Sequence, residues 1–281
     1  MRRPCRTLPH RLRPATLMLA LVAPLAAGLL HAPAAVATGP ETETHHLRTD
    51  PARALDGQMV TFEVDGREVS GYASGLREGV PTVLVVHEWW GLNDYVKQQA
   101  EQLRDLGYGV FAIDLYGGKV ATDPQTASRY ATAAREEPAP LAADLAAAID
   151  HLDALSGGRV ATLGWCFGGG WALRAALASP EQVDAAVSYY GEPVLDVAEL
   201  RRLEAPLLAI FATDDDWITP AKAAAFETAL EQAGANHEVH HFEAEHAFAN
   251  PSNPDFDAEA ARQAWDLTRD FLMAHLRSPG T

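Results

Sequence analysis

The sequence predicts an α/β domain built on a mostly parallel central sheet with helices on both faces. Three observations carry that expectation. Short apolar runs at residues 83–87, 110–113, 160–163, 185–190 and 207–211 lack polar alternation, as strands covered on both faces do. Segments of helix length separate most of these runs, so strand and helix alternate along the chain. The third run leads directly into Gly164-Trp165-Cys166-Phe167-Gly168-Gly169-Gly170. Glycines two before and two after a Ser or Cys mark a strand-to-helix elbow, which holds a reactive side chain clear of the sheet.

Each element follows in order. Arg2, Arg3, Arg6, Arg11 and Arg13 precede an apolar stretch at 15–30 and the small residues Ala35-Val36-Ala37. That pattern predicts a signal peptide over residues 1–37 and a protein exported to the periplasm or secreted. The apolar stretch is short for a membrane span, so no membrane association is expected after cleavage. Residues 38–56 are polar and mixed and read as a flexible leader, with His45-His46 a solvated pair. One domain is expected over 57–281. Val60, Phe62 and Val64 alternate with polar residues before Asp65-Gly66, the pattern of a hairpin strand and its turn. The strand at 83–87 is followed by a helix over about 93–106, stopped by Gly107. After the strand at 110–113, Leu141, Leu145, Ile149 and Leu152 share one helical face. Pro138-Ala139-Pro140 reads as a connection. A helix is expected from about 169, after the elbow. Beyond the strands at 185–190 and 207–211, Thr219-Pro220 offers an N-cap and a first-turn proline. Residues 237–242 alternate like a last strand, and a closing helix runs to about 276.

Composition narrows the function classes. The formal net charge is −16, and removing a leader with five Arg and no acid makes the remainder more acidic still. Such a surface argues against nucleic acid and anionic membranes as partners. Of two cysteines, only Cys166 survives cleavage, so no internal disulfide can form. A lone thiol in an oxidising compartment is either buried as a small apolar group or put to use. Glycines on both sides favour use.

A thiol nucleophile needs a base to take its proton and an acid to orient that base. In sheets with this elbow, the acid and then the histidine follow at the ends of later strands. The run Thr213-Asp214-Asp215-Asp216-Trp217-Ile218 offers the acid. His246, just past the last strand, offers the base; His240 and His241 lie inside that strand and are its rivals.

Here the chain resembles the dienelactone hydrolase family of the α/β-hydrolase superfamily. The matching pieces are His87-Glu88-Trp89-Trp90-Gly91-Leu92, Asp114-Leu115-Tyr116, the Cys166 elbow, Tyr189-Tyr190-Gly191, the Asp215 loop and His246-Ala247-Phe248-Ala249-Asn250. They occur in family order across nearly all of the expected domain. The resemblance implies Cys166 as nucleophile, Asp215 as orienting acid and His246 as base. The family's Gly-x-x-Asp-x-x-Ile/Val spacing selects Asp215, with Ala212 in place of the glycine and Ile218 completing the count. It implies an oxyanion hole from the backbone N–H groups of Trp89 and Phe167, the latter at a helix start. It also implies that Glu88 meets the thiol at rest and is displaced by substrate. The residues themselves support the position of Glu88 only; a structural carboxylate bonded to backbone amides is the other reading. His87-Glu88 lacks the second histidine of a zinc helix, because Gly91 stands in its place. No metal or other cofactor is expected.

The resemblance thins at the substrate. The family holds its substrate carboxylate with arginines, one of them four residues after the catalytic histidine, where this chain has Asn250. Arg129 is the candidate for the other, or else a surface helix residue. Trp89, Trp90, Trp165, Phe167 and Trp217 suggest an aromatic pocket, with Trp217 and Asn250 as substrate contacts. The expected function is hydrolysis of a small ester or lactone through a thioester, by a monomer. The alternatives are a thioesterase and a non-catalytic binding or thiol redox-sensing protein.

Overall fold

The computed structural model describes residue 50 and residues 53–276. The expected signal peptide, Cys5, His45-His46 and most of the expected leader lie outside the described residues. The described part of that leader runs beside the first helix of the domain. There Gln98 exchanges hydrogen bonds with Asp50, and Arg53 and Asp56 pair with Asp105 and Arg104.

Among the described residues, eight strands form one sheet: β1 (Gln58–Val64), β2 (Arg67–Ser74), β3 (Thr82–Val86), β4 (Gly109–Ile113), β5 (Val160–Trp165), β6 (Val183–Tyr189), β7 (Leu207–Ala212) and β8 (His237–Phe242). Their spatial order is β1-β2-β4-β3-β5-β6-β7-β8. Only the β1–β2 and β2–β4 pairings are antiparallel; from β4 to β8 every pairing is parallel. The β1–β2 hairpin turns at Asp65-Gly66, both with positive φ, as the Asp-Gly pair predicts.

Seven helices among the described residues connect or close the strands: α1 (Asp94–Asp105), α2 (Pro124–Glu136), α3 (Pro138–Ser156), α4 (Phe167–Ala178), α5 (Val197–Leu200), α6 (Pro220–Ala233) and α7 (Ala258–Leu276). Strand parity sends Val83, Val85, Val110, Ala112, Leu208 and Ile210 to the face that α1 and α7 cover. Leu84, Val86, Phe111, Ile113, Ala209 and Phe211 go to the face under α3, α4 and α6. Both faces are dry, which is why the strands read as unbroken apolar runs.

Two expectations are corrected. Pro138-Ala139-Pro140 is the first turn of α3, not a connection. A proline at the start of a helix gives up an N–H that has no partner there, and Glu137 before it breaks the chain away from α2. Helix α2 carries Arg129, in keeping with the surface-helix alternative for that residue; Asp123 caps it by accepting from Thr126 N–H at 2.9 Å, and Pro124 opens it. Helix α4 begins at Phe167, two residues earlier than expected, directly on the elbow.

The sheet order reverses between β3 and β5. The chain leaves β3 toward β4 on one side and then returns across to β5 and onward on the other. A crevice opens at the carboxyl ends of strands at such a switch point. The loops after β3 and β5 meet there, joined by those after β7 and β8.

Candidate active site

Cys166 sits between β5 and α4 with φ 53° and ψ −118°, a conformation that L-residues rarely adopt. Strain of this kind costs on the order of 1–3 kcal/mol and persists only where the surroundings impose it. Here its N–H donates to the Tyr189 carbonyl at 2.9 Å. The glycines permit the close approach. A Cβ on Gly164 would lie 2.2 Å from the Gly168 oxygen, and one on Gly168 would lie 2.2 Å from the Val86 oxygen. Bare backbone at 168 therefore lets α4 start against the end of β3. The Phe167 N–H is one of the amides at a helix start without an intrahelical acceptor.

The loops after β7 and β8 complete a hydrogen-bonded line. His246 Nε2 lies 3.2 Å from Cys166 Sγ, and His246 Nδ1 lies 2.6 Å from Asp215 Oδ2. The other carboxylate oxygen of Asp215 accepts from Trp217 N–H at 2.7 Å and Ile218 N–H at 2.8 Å. The Asp215 side chain is wholly buried, whereas Asp214 and Asp216 are exposed. Burial raises the Asp215 carboxyl, but His246 and the two amides outweigh it and hold the group below its usual range. Burial likewise works against charge on His246. The Asp215 and Cys166 hydrogen bonds and charges outweigh it and raise the imidazole to about 10. The line thus favours a charged imidazolium between carboxylate and sulfur. Asn253 holds the His246 carbonyl at 2.7 Å, and the rings of Tyr190 and Trp217 flank the imidazole. His240 and His241 lie elsewhere: His240 is 3.7 Å from Glu238, and His241 lies beside Phe211 and Glu227.

Glu88, at the end of β3, is buried, and its partner is neither the thiol nor a backbone amide. The Asn250 amide donates to Oε2 at 2.5 Å. Asn250 Oδ1 in turn accepts from Ser252 N–H at 2.8 Å, which fixes which way the amide faces. Asn250, which also lines the cavity described below, thus directs its amide at Glu88. Burial pushes the Glu88 carboxyl up to about 7, with Asn250 and His246 partly offsetting it.

These groups open on a cavity of about 610 Å³. Its walls include Trp89, Trp90, Phe167, Trp171 and Trp217, so it is largely aromatic; Trp165 is buried in the core instead. Arg129 is absent from it. That side chain lies on the exposed face of α2, bonded to Thr126, because the helical register turns it outward. Arg135 and Arg174 line the cavity instead. Arg135 stands over the Trp217 ring at 5.9 Å, and Arg174 reaches the carbonyls of Gly170 and Glu192. Sequence reasoning missed both. Arg174 had a signal: residues 166, 170 and 174 are four apart and share one face of α4. Arg135 had none, since no motif or spacing ties residue 135 to the Cys166 elbow. Among the described residues, no cluster of three or more His, Cys, Asp or Glu could hold a metal, and no helix is long and apolar enough to cross a membrane.

The sequence pattern of the dienelactone hydrolase family matches residues 69–276. "Protein usf" of Aquifex pyrophilus is 31% identical over 229 residues, covering 78% of this chain and 99% of that protein. The carboxymethylenebutenolidase of Pseudomonas putida is 29% identical, covering 76% and 97%. A dienelactone hydrolase-like promiscuous phosphotriesterase from metagenomic libraries superposes with a TM-score of 0.70 at 23% identity, covering 79% of this chain and 98% of its own. At that identity the structural likeness speaks to the fold alone, which is the α/β-hydrolase fold.

Proposed function

The chain belongs to the dienelactone hydrolase family, and from that membership we propose that it hydrolyses a small ester or lactone through Cys166, His246 and Asp215. The observation that carries the proposal is the continuous line from Asp215 through His246 to Cys166, at 2.6 and 3.2 Å. The proton shared by the Cys166–His246 pair rests on His246 Nε2 as sulfur attacks the carbonyl carbon. The carbonyl electron pair moves onto oxygen, where the N–H groups of Phe167 and Trp89 receive it. Such donors contribute on the order of 10²–10³ in rate each. The pair returns, the C–O bond breaks, and the leaving oxygen takes the proton from His246. A thioester remains. Water then gives a proton to His246 and attacks the thioester carbonyl, and collapse releases the acid and restores the Cys166–His246 pair. These steps balance without a metal or organic cofactor.

The name of the Pseudomonas putida relative specifies a butenolide with a carboxymethylene arm. Arg135 and Arg174 offer positive charge in the cavity of this chain, where Asn250 is committed to Glu88. A carboxylate-bearing lactone is therefore the reference substrate. We also propose that the protein works as a monomer outside the cytoplasm, the location resting on its amino-terminal sequence alone. Hydrolysis of p-nitrophenyl acetate that disappears on alkylation by iodoacetamide and in Cys166→Ala, with an acyl adduct on Cys166 seen by mass spectrometry, supports the reading. Reduced protein that turns over no short ester, thioester or lactone favours a thiol-sensing role.

A further inference from the structure

His87 stands one residue before Glu88 and takes no part in the steps above. Its ring is fully buried and makes two hydrogen bonds. The Leu115 N–H donates to Nε2 at 3.2 Å, so Nε2 carries no proton. The proton therefore sits on Nδ1, which donates to the Glu88 carbonyl at 2.6 Å. Burial lowers the ring below the usual imidazole range and keeps it neutral. The same carbonyl also accepts from Gly91 N–H at 3.2 Å.

A trans peptide points its C=O and N–H in opposite directions, and every peptide described here is trans. The N–H that shares a peptide with the Glu88 carbonyl belongs to Trp89. Holding that carbonyl therefore aims the Trp89 N–H. The neighbouring backbone leaves little room to turn: a Cβ on Gly168 would lie 2.5 Å from the His87 oxygen. The ring is further packed against Tyr116 and Phe167, at 4.6 and 6.0 Å between centroids.

We propose that His87 is a positioning residue that locks the Glu88–Trp89 peptide with its N–H toward the carbonyl oxygen under attack. The inference rests on the hydrolase reading above. His87 itself touches no reacting atom.

Two amide replacements separate the ring's two bonds. The Asn amide reaches about as far as Nδ1 and retains a donor for the Glu88 carbonyl. The Gln amide reaches about as far as Nε2 and retains an acceptor for Leu115 N–H. His87→Gln is expected to lower kcat on the order of 10²-fold, with KM within about threefold. His87→Asn is expected to recover most of that loss. Alkylation of Cys166 by iodoacetamide displaces iodide at a saturated carbon and develops no oxyanion, so both variants should alkylate at the parent's rate. The proposal is overturned if His87→Gln turns over like the parent, or if His87→Asn does no better than His87→Gln. It is equally overturned if the His87→Gln loss is matched by an equal loss of alkylation, which marks a displaced thiol. A parent that alkylates but hydrolyses nothing sinks the hydrolase reading itself, and the proposal with it.

Discussion

Replacing Asp215 by Asn tests the proton path at its most constrained point. Asp215 Oδ1 accepts two backbone N–H groups, from Trp217 and Ile218, while Oδ2 accepts from His246. An asparagine must keep its oxygen where the two amides point, so its NH₂ turns toward His246. His246 Nδ1 then becomes an acceptor, and the ring proton moves to Nε2, facing the sulfur. A ring protonated there cannot take the thiol proton. The corresponding change in a Ser-His-Asp triad lowers kcat about 10⁴-fold through the same wrong tautomer. That is about 5 kcal/mol of transition-state stabilisation. The fold should survive, because both backbone bonds to residue 215 remain. The assay is saturating p-nitrophenyl acetate hydrolysis at neutral pH, with the melting temperature as a check on folding. Asp214→Asn, on the exposed neighbour, should match the parent. A folded Asp215→Asn protein with kcat within tenfold of the parent would refute the proposed path.

Three further outcomes follow from the geometry. The Glu88 carboxyl is raised by burial from 4.5 to about 7, so the folded state keeps a proton that the unfolded state releases. Its contribution is full below about pH 4.5 and is lost as pH rises through about 7. Denaturant titrations should therefore show Glu88→Gln gaining on the parent across that window by up to about 3 kcal/mol; a constant difference counts against a protonated Glu88. Gly168→Ala puts a methyl 2.2 Å from the Val86 oxygen. Overpacking there should cost about 3 kcal/mol and lower Tm by about 10 °C, and an unchanged melting curve means that α4 does not abut β3 as described. Arg135→Ala should raise KM for a carboxylate-bearing lactone about tenfold more than for a neutral ester; equal effects on both would remove Arg135 from carboxylate binding.

Much of this molecule is legible residue by residue. The strands announce themselves because both sheet faces are buried, as the unbroken runs of Thr82–Val86 and Leu207–Ala212 show. The Cys166 elbow is legible because its backbone tolerates only glycine at 164 and 168, and local sterics write themselves into composition. Asp215 is separable from Asp214 and Asp216 only through the spacing that the family resemblance implies, and that spacing matches a turn in which the carboxylate caps Trp217 and Ile218.

Other features depend on what meets across the sheet. The prolines at 138 and 140 look like a loop until their place at a helix start makes the missing N–H groups harmless. Arg129 and Arg135 are six apart on one helix, and the packing of α2 turns the first to solvent and the second into the cavity. Asn250 stands 162 residues from Glu88, yet it faces that carboxylate because Ser252 orients its amide. The protonated nitrogen of His87 is set by a Leu115 amide from a different strand end. Chemical identity and local backbone geometry travel with the residues; hydrogen-bond direction and the side of a helix that faces a cavity arise only when distant segments pack together.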